Sequence, residues 1–194
     1  MQTIKGIHYQ TKEPVLVKIE KDFIKSICVL QEQELEKLPF IAPGLVDLQI
    51  NGYKGIDFNH ENLSVKEVYN ITNQLLAQGV TTYFPTVITN STQHIKKSLN
   101  TIAQACAASV LVDNCIAGIH LEGPFISPHE GPVGAHNPQY VCAPDWDLFK
   151  EFYQASEEKI KIITLSPEWP EAVDFTKRCV QQGVLVAIGH TAAN

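Results

Sequence analysis

Three stretches of this chain place ligand-capable side chains where an apolar run breaks off. In Ile119-His120-Leu121-Glu122-Gly123-Pro124-Phe125 a carboxylate ends such a run and Gly-Pro stops it at once. In Val184 to Ile188, closed by Gly189-His190, an imidazole stands at the tip of a wholly apolar segment, where it has little structural justification. In Asp47-Leu48-Gln49-Ile50-Asn51, strand alternation puts Asp47, Gln49 and Asn51 on one face. Polar groups on an inward face must be hydrogen-bonded or line a site. A Glu and a His at separate strand ends, here Glu122 and His190, are the oxygen and nitrogen donors of a divalent metal site. A catalytic zinc takes about three protein ligands plus water, so a further ligand is expected beyond Asn194, or from water or substrate. The plainer alternatives are a Glu122 that caps a helix or pairs with a lysine, and an Asn51-Gly52 that only makes a turn.

The chain holds seven histidines. His136, in Gly134-Ala135-His136-Asn137-Pro138, lies within loop reach of Glu122 and could polarise a substrate carbonyl; taken alone it would be an exposed loop histidine. His120 shares the face of Glu122, either supporting it or as a satisfied core histidine, with the core reading preferred. His129 reads as surface, and His8, His60 and His94 carry no assigned role.

These groups need elements to position them. Residues 1–40 show short β-type runs, Ile4 to Ile7, Val15 to Ile19 and Phe23 to Val29, separated by Lys, Glu and Asp, which suggest a small antiparallel sheet. Gln31 to Lys37 is Glu-rich and reads as a linker or short helix. Residues 41–194 alternate strand and helix: Ile41 to Ile50 (interrupted at Pro43-Gly44), Val80 to Ile88, Cys115 to Glu122, Ile160 to Leu165 and Val184 to Ile188 as strands. Ser64 and Glu67 have capping-box spacing for a helix running to Gln78. Thr89-Asn90-Ser91 opens a second helix reaching about Ser109. Pro144-Asp145 starts a third and Pro170 a fourth. Successive βα units imply a parallel sheet that curls toward a barrel when strand order does not reverse. A full (β/α)8 barrel takes roughly 250 residues, so the expected fold is α/β, a partial barrel of about five βα units, in a piece of a longer protein. A complete doubly wound domain is the rival.

Composition narrows the function classes. The chain has 194 residues, is 44% hydrophobic and 19% charged, and carries a net charge of −6. Lys and Arg neither dominate nor cluster, which argues against a nucleic-acid partner. No signal-peptide layout and no apolar run long enough for a membrane span is visible. Five cysteines, none with CxxC spacing, point to a reducing, cytoplasmic setting.

Taken together, Pro43-Gly44-Leu45-Val46-Asp47 with Gln49-Ile50-Asn51-Gly52, Gly79-Val80-Thr81-Thr82 with Pro85-Thr86, His120-Leu121-Glu122-Gly123-Pro124-Phe125, Gly134-Ala135-His136-Asn137-Pro138, Leu165-Ser166-Pro167-Glu168 and Gly189-His190-Thr191 resemble, in order and along essentially the whole chain, the N-acetylglucosamine-6-phosphate deacetylases of the amidohydrolase superfamily. The resemblance implies a (β/α)8 barrel with a small β-sandwich, of which residues 1–40 supply the N-terminal strands and 41–194 the first part of the barrel. It implies one divalent metal ion, zinc or iron, with Glu122 and His190 as ligands. The third ligand and the acid/base Asp would follow Asn194, leaving no catalytic acid/base within the chain. It implies contact between His136, with Ala135 beside it, and the N-acetyl carbonyl. Where many amidohydrolases carry His-x-His for a second metal, this chain has Gln49-Ile50-Asn51, so that position reads as vestigial and the centre as mononuclear. The implied ligand is a small sugar phosphate, the implied assembly of the full-length protein a homodimer, and the piece alone is expected to be inactive. Alternatives are another amidohydrolase acting on a cyclic amide or nucleobase, and a non-catalytic sugar-phosphate binding module.

Overall fold

The computed structural model describes residues 1–31 and 38–193; most of the segment expected as a linker or short helix lies outside the described residues. The chain divides into two compact units, 1–44 and 45–194.

The first unit is a four-stranded sheet. Strand β1 (Gln2–His8) pairs antiparallel with β2 (Pro14–Glu20), which pairs antiparallel with β3 (Phe23–Val29), and the short β4 (Phe40–Ile41) lies parallel to β1. Val15 and Val17 are buried two residues apart, the period of a strand that buries one face. Phe23, Ile24, Ile27 and Val29 of β3 stay exposed.

The second unit is the curled parallel sheet that positions the site. Strand β5 (Leu45–Ile50) is followed by a two-residue hairpin of β6 (Gly52–Tyr53) and β7 (Ile56–Asp57). Lys54 and Gly55 both take positive φ, 49° and 84°, as a type I′ turn demands. Then come α1 (Val65–Leu76), β8 (Val80–Ile88), α2 (Thr92–Ala108), α3 (Val110–Cys115), β9 (Ile119–Glu122), α4 (Trp146–Ala155), β10 (Ile160–Leu165), α5 (Ala172–Gln181) and β11 (Leu185–Ile188). The sheet order is β11-β10-β9-β8-β5, all parallel and without a reversal. A doubly wound domain needs a reversal; this order makes a five-strand half-barrel.

Local chemistry explains the helix starts. The Ser64–Glu67 capping box is complete: Ser64 Oγ accepts from the Glu67 N–H at 3.3 Å, and Glu67 Oε2 accepts from the Ser64 N–H at 2.8 Å. Ser91 caps α2, and Asp145 caps α4 by accepting from the Asp147 and Leu148 N–H groups. The helices pack on the sheet through Leu99, Ile102, Phe149, Phe152 and Phe175, all nearly or fully buried with Val87 and Ile163 of the strands.

Two boundaries differ from expectation. The interrupted strand from Ile41 to Ile50 is two strands in different sheets, because Pro43-Gly44 lets the chain leave β4 before β5 begins. The strand expected from Cys115 begins only at Ile119. Val110–Cys115 is helical, capped by Ser109, whose extended backbone (φ −147°) ends α2 and whose hydroxyl accepts from the Val112 N–H. Cys115 and Ile116 are buried either way, and burial alone does not separate a strand from a helical turn.

Candidate metal centre

The carboxyl ends of the sheet strands converge on Glu122. Its side chain, at the end of β9, is buried; the residue is 6% exposed. Glu122 Oε1 accepts from Gln49 Nε2 at 3.0 Å across the sheet from β5 and lies 3.2 Å from His190 Nε2, just past β11. The long loop after β9 folds back and places the His136 ring edge-on to His190, with centroids 4.4 Å apart. Ligand-capable atoms of Glu122, His136 and His190 all lie within 4.8 Å of one another.

Hydrogen bonds around these groups assign their protons. The Pro132 carbonyl, which can only accept, is 3.0 Å from His190 Nδ1, so Nδ1 carries the hydrogen. A neutral ring then turns a bare Nε2 lone pair toward a carboxylate oxygen. Two acceptors at 3.2 Å repel unless a cation stands between them or the ring takes a second proton. The backbone-fixed Nδ1–H that leaves Nε2 free is the usual preparation of a metal-ligating histidine. The donor set of carboxylate oxygen and imidazole nitrogen fits a divalent ion such as zinc or iron.

His136 is 7% exposed, and burial holds its pKa below the usual histidine range, with the neighbouring His190 acting in the same direction against the charge of Glu122. Thr89 Oγ1 lies 2.8 Å from His136 Nδ1 and 3.4 Å from the Glu122 carbonyl. A carbonyl can only accept, so the single Thr89 proton goes to Glu122 and Thr89 Oγ1 accepts from His136 Nδ1–H. That turns His136 Nε2 toward the cluster. Gly123 makes the approach of Thr89 feasible: its φ is +83°, and a Cβ there would collide with Thr89 Oγ1.

The remaining sequence-picked residues separate. Gln49 reaches the centre, and because its partner is a carboxylate it presents its N–H there, not a ligand lone pair. Asn51 meets the fold through its carbonyl, which accepts from the Phe58 N–H, and the residue is exposed. Asp47 accepts from the Gln49 N–H at 3.0 Å. Ala135 is exposed beside His136. His120 is a satisfied core histidine: it is 4% exposed, with ring nitrogens 3.2 Å from the Leu48 carbonyl and 2.7 Å from Thr164 Oγ1. Burial depresses its pKa despite the nearby Glu122 charge. His129 is exposed. Thr89 stands out in the sequence only as part of a helix opener; its place just past the end of β8 is the available signal.

No family model matches the chain. It is 38% identical over 160 residues to an N-acetylglucosamine-6-phosphate deacetylase of Caenorhabditis elegans, covering 79% of this chain and 37% of that protein. It is 31% identical over 156 residues to the enzyme of that name from Bacillus subtilis strain 168, covering 79% of this chain and 38% of that protein. The chain therefore spans less than half the length of the curated relatives it matches. A crystal structure of the enzyme of that name from Pasteurella multocida superposes with a TM-score of 0.79 at 27% identity, over 99% of this chain and 52% of that one.

Proposed function

We propose that this chain, a relative of N-acetylglucosamine-6-phosphate deacetylases, supplies the metal-binding part of an enzyme that hydrolyses the N-acetyl amide of N-acetylglucosamine 6-phosphate, giving acetate and glucosamine 6-phosphate. The observation that carries this reading is the Glu122–His190 pair, a carboxylate oxygen and an imidazole nitrogen facing each other at 3.2 Å at the strand ends of a half-barrel. Glu122 and His190 would hold one zinc or iron ion. When bound, the ion supplies an acidified water near neutral pH and a Lewis acid for the amide carbonyl.

The other residues do the binding and orienting. Gln49 N–H fixes the free rotation of the Glu122 carboxylate. Pro132 fixes the proton of His190 on Nδ1. His136, buried beside His190, would contact the N-acetyl carbonyl, and the turn at Gly134-Ala135 delivers it to that position. A strand-end Asp after Asn194 would carry the proton to the departing amine, and a further metal ligand and most of the phosphate contacts would follow there too. A homodimer and a cytoplasmic setting belong to the same reading. No helix among the described residues is long and apolar enough to cross a membrane.

The test is acetate release. A full-length protein carrying this sequence, incubated with zinc or ferrous ion and N-acetylglucosamine 6-phosphate, is expected to release acetate and expose a primary amine in equal amounts. Absence of release with every divalent ion tried would reject the reading. The 194-residue chain alone is expected to show no turnover, and turnover by it would reject the placement of the acid/base outside the chain.

A further inference from the structure

The Leu165-Ser166-Pro167-Glu168 segment has no part in the chemistry above, yet Glu168 uses both carboxylate oxygens on the chain that carries His190. Glu168 Oε2 accepts from the Thr191 hydroxyl at 2.7 Å, and Oε1 accepts from the Ala192 N–H at 2.6 Å. Glu168 is exposed, where a carboxylate is ordinarily satisfied by water. The donors instead come from the two residues after His190.

His190 needs such restraint. Its φ is +49°, a left-handed backbone that a residue with a Cβ rarely takes. Released, the residue would relax to an ordinary strand or helical backbone and swing the imidazole away from Glu122. Three groups hold it. The Ser127 N–H donates to the His190 carbonyl at 3.0 Å, and the Pro132 carbonyl accepts from Nδ1 at 3.0 Å. Glu168 fixes the exit direction through Thr191 and Ala192, and the Thr191 hydroxyl in turn accepts from the Ala193 N–H at 2.9 Å.

We propose that Glu168 is a positioning residue: it clamps the chain after β11 so that His190 keeps its left-handed backbone and aims Nε2 at Glu122. The inference rests on the reading of His190 as a metal ligand for its functional meaning, but the clamp itself is measurable without metal. On the metal-free chain at a fixed pH near neutrality, long-range proton–nitrogen correlation of the histidine rings reports each tautomer. Wild type is expected to show a hydrogen held on His190 Nδ1, whether or not Nε2 also carries one. E168A is expected to average the His190 ring between tautomers while His120 and His136 keep their wild-type signals. E168Q retains an oxygen for the Ala192 N–H and is expected to preserve most of the His190 signal. Should E168A fail to fold, Thr191→Val, which removes one donor only, is expected to give the same change to a smaller degree. In a parallel cobalt(II) titration E168A is expected to weaken binding roughly 10- to 100-fold, the usual loss on removing an outer partner of a ligand, and E168Q less. An unchanged His190 ring in E168A, or all three histidines shifting together with loss of the folded spectrum, overturns the proposal. Wild type that takes up no cobalt while E168A still alters the His190 ring rejects the metal reading and leaves the clamp standing.

Discussion

Replacing Glu122 by Gln separates a metal ligand from a merely structural carboxylate, because the two roles predict opposite patterns. Consider first the metal-free chain. Glu122 Oε1 receives one N–H from Gln49 at 3.0 Å and faces the His190 Nε2 lone pair at 3.2 Å. The amide keeps the Gln49 bond through its oxygen but loses the charge assistance, a difference of about 1 kcal/mol. It also removes the anion from in front of the His190 lone pair and from a site that is only 6% exposed, which offsets a loss of that size. Metal-free stability is therefore expected to stay within about 1 kcal/mol of wild type. With a divalent ion at a hundred times its dissociation constant, wild type gains about 2.7 kcal/mol by linkage. In a chain of this size about 1 kcal/mol moves the melting midpoint by roughly 2–4 °C, so the ion should raise wild type by roughly 5–11 °C. If E122Q lowers affinity a hundredfold, its remaining gain at the same concentration is RT ln 2, about 0.4 kcal/mol, or roughly 1 °C. Melting followed by far-ultraviolet circular dichroism with cobalt(II), and again with a chelator, gives both numbers. His129→Ala, at an exposed loop histidine, serves as the control that should keep the full shift. The reasoning is refuted if E122Q retains the wild-type cobalt shift, or if the metal-free mutant falls by several kcal/mol.

The buried hydroxyl pair between α1 and β8 gives an asymmetric result. Thr72 Oγ1 donates to the Val68 carbonyl at 2.9 Å, so Tyr83, 2.7 Å away, donates to Thr72; both residues are 0% exposed and burial pushes the Tyr83 pKa up. Tyr83→Phe should cost about 1 kcal/mol in urea unfolding, Thr72→Val about 2 because it strands the phenol hydroxyl, and the double variant less than the sum; equal and additive single costs would contradict the assigned donor direction. Hydrogen bonds from the Ser64 hydroxyl and N–H hold the Glu67 carboxyl below its usual range. A lowered folded pKa means its contribution is complete above the unfolded value of 4.5 and disappears as pH falls through the lower folded value. The difference in melting midpoint between wild type and Glu67→Gln should be constant above about pH 5 and close below it, and a difference independent of pH would show that the box does not depend on the charge. Ser64→Ala should cost about 1 kcal/mol.

What the sequence made legible was what local pattern dictates. The capping box of α1 and the strand-end locations of Glu122 and His190 follow from period and spacing alone, whereas the strand order, which decides between a half-barrel and a doubly wound sheet, does not. The apolar run from Cys115 was misassigned in part, because a buried residue in a helical turn and one in a strand carry the same composition. Gln49 reads from the sequence as a vestige of a second metal position. Its actual contact, an N–H on Glu122, depends on β5 and β9 flanking β8 in the sheet, a register that two segments 73 residues apart do not advertise.

Thr89 and Glu168 show the limit more sharply. Each follows a strand end, and each acts through a neighbour: Thr89 on the His136 ring, Glu168 on the two residues after His190. A ligand can be read from a sequence because its own chemistry is scarce at such a position, as an imidazole is after Val184 to Ile188. A threonine or a glutamate in a loop is commonplace, and its role is set only by which donors the folded sheet brings within 3 Å. The left-handed backbone of His190 ties the two kinds of residue together. The strain sits at the residue whose identity was legible, while the bonds that hold it come from Ser127, Pro132 and Glu168, at positions 22 to 63 residues earlier in the chain. Local pattern thus locates what a half-barrel of this kind presents at its mouth, and tertiary contacts alone decide where each group is aimed.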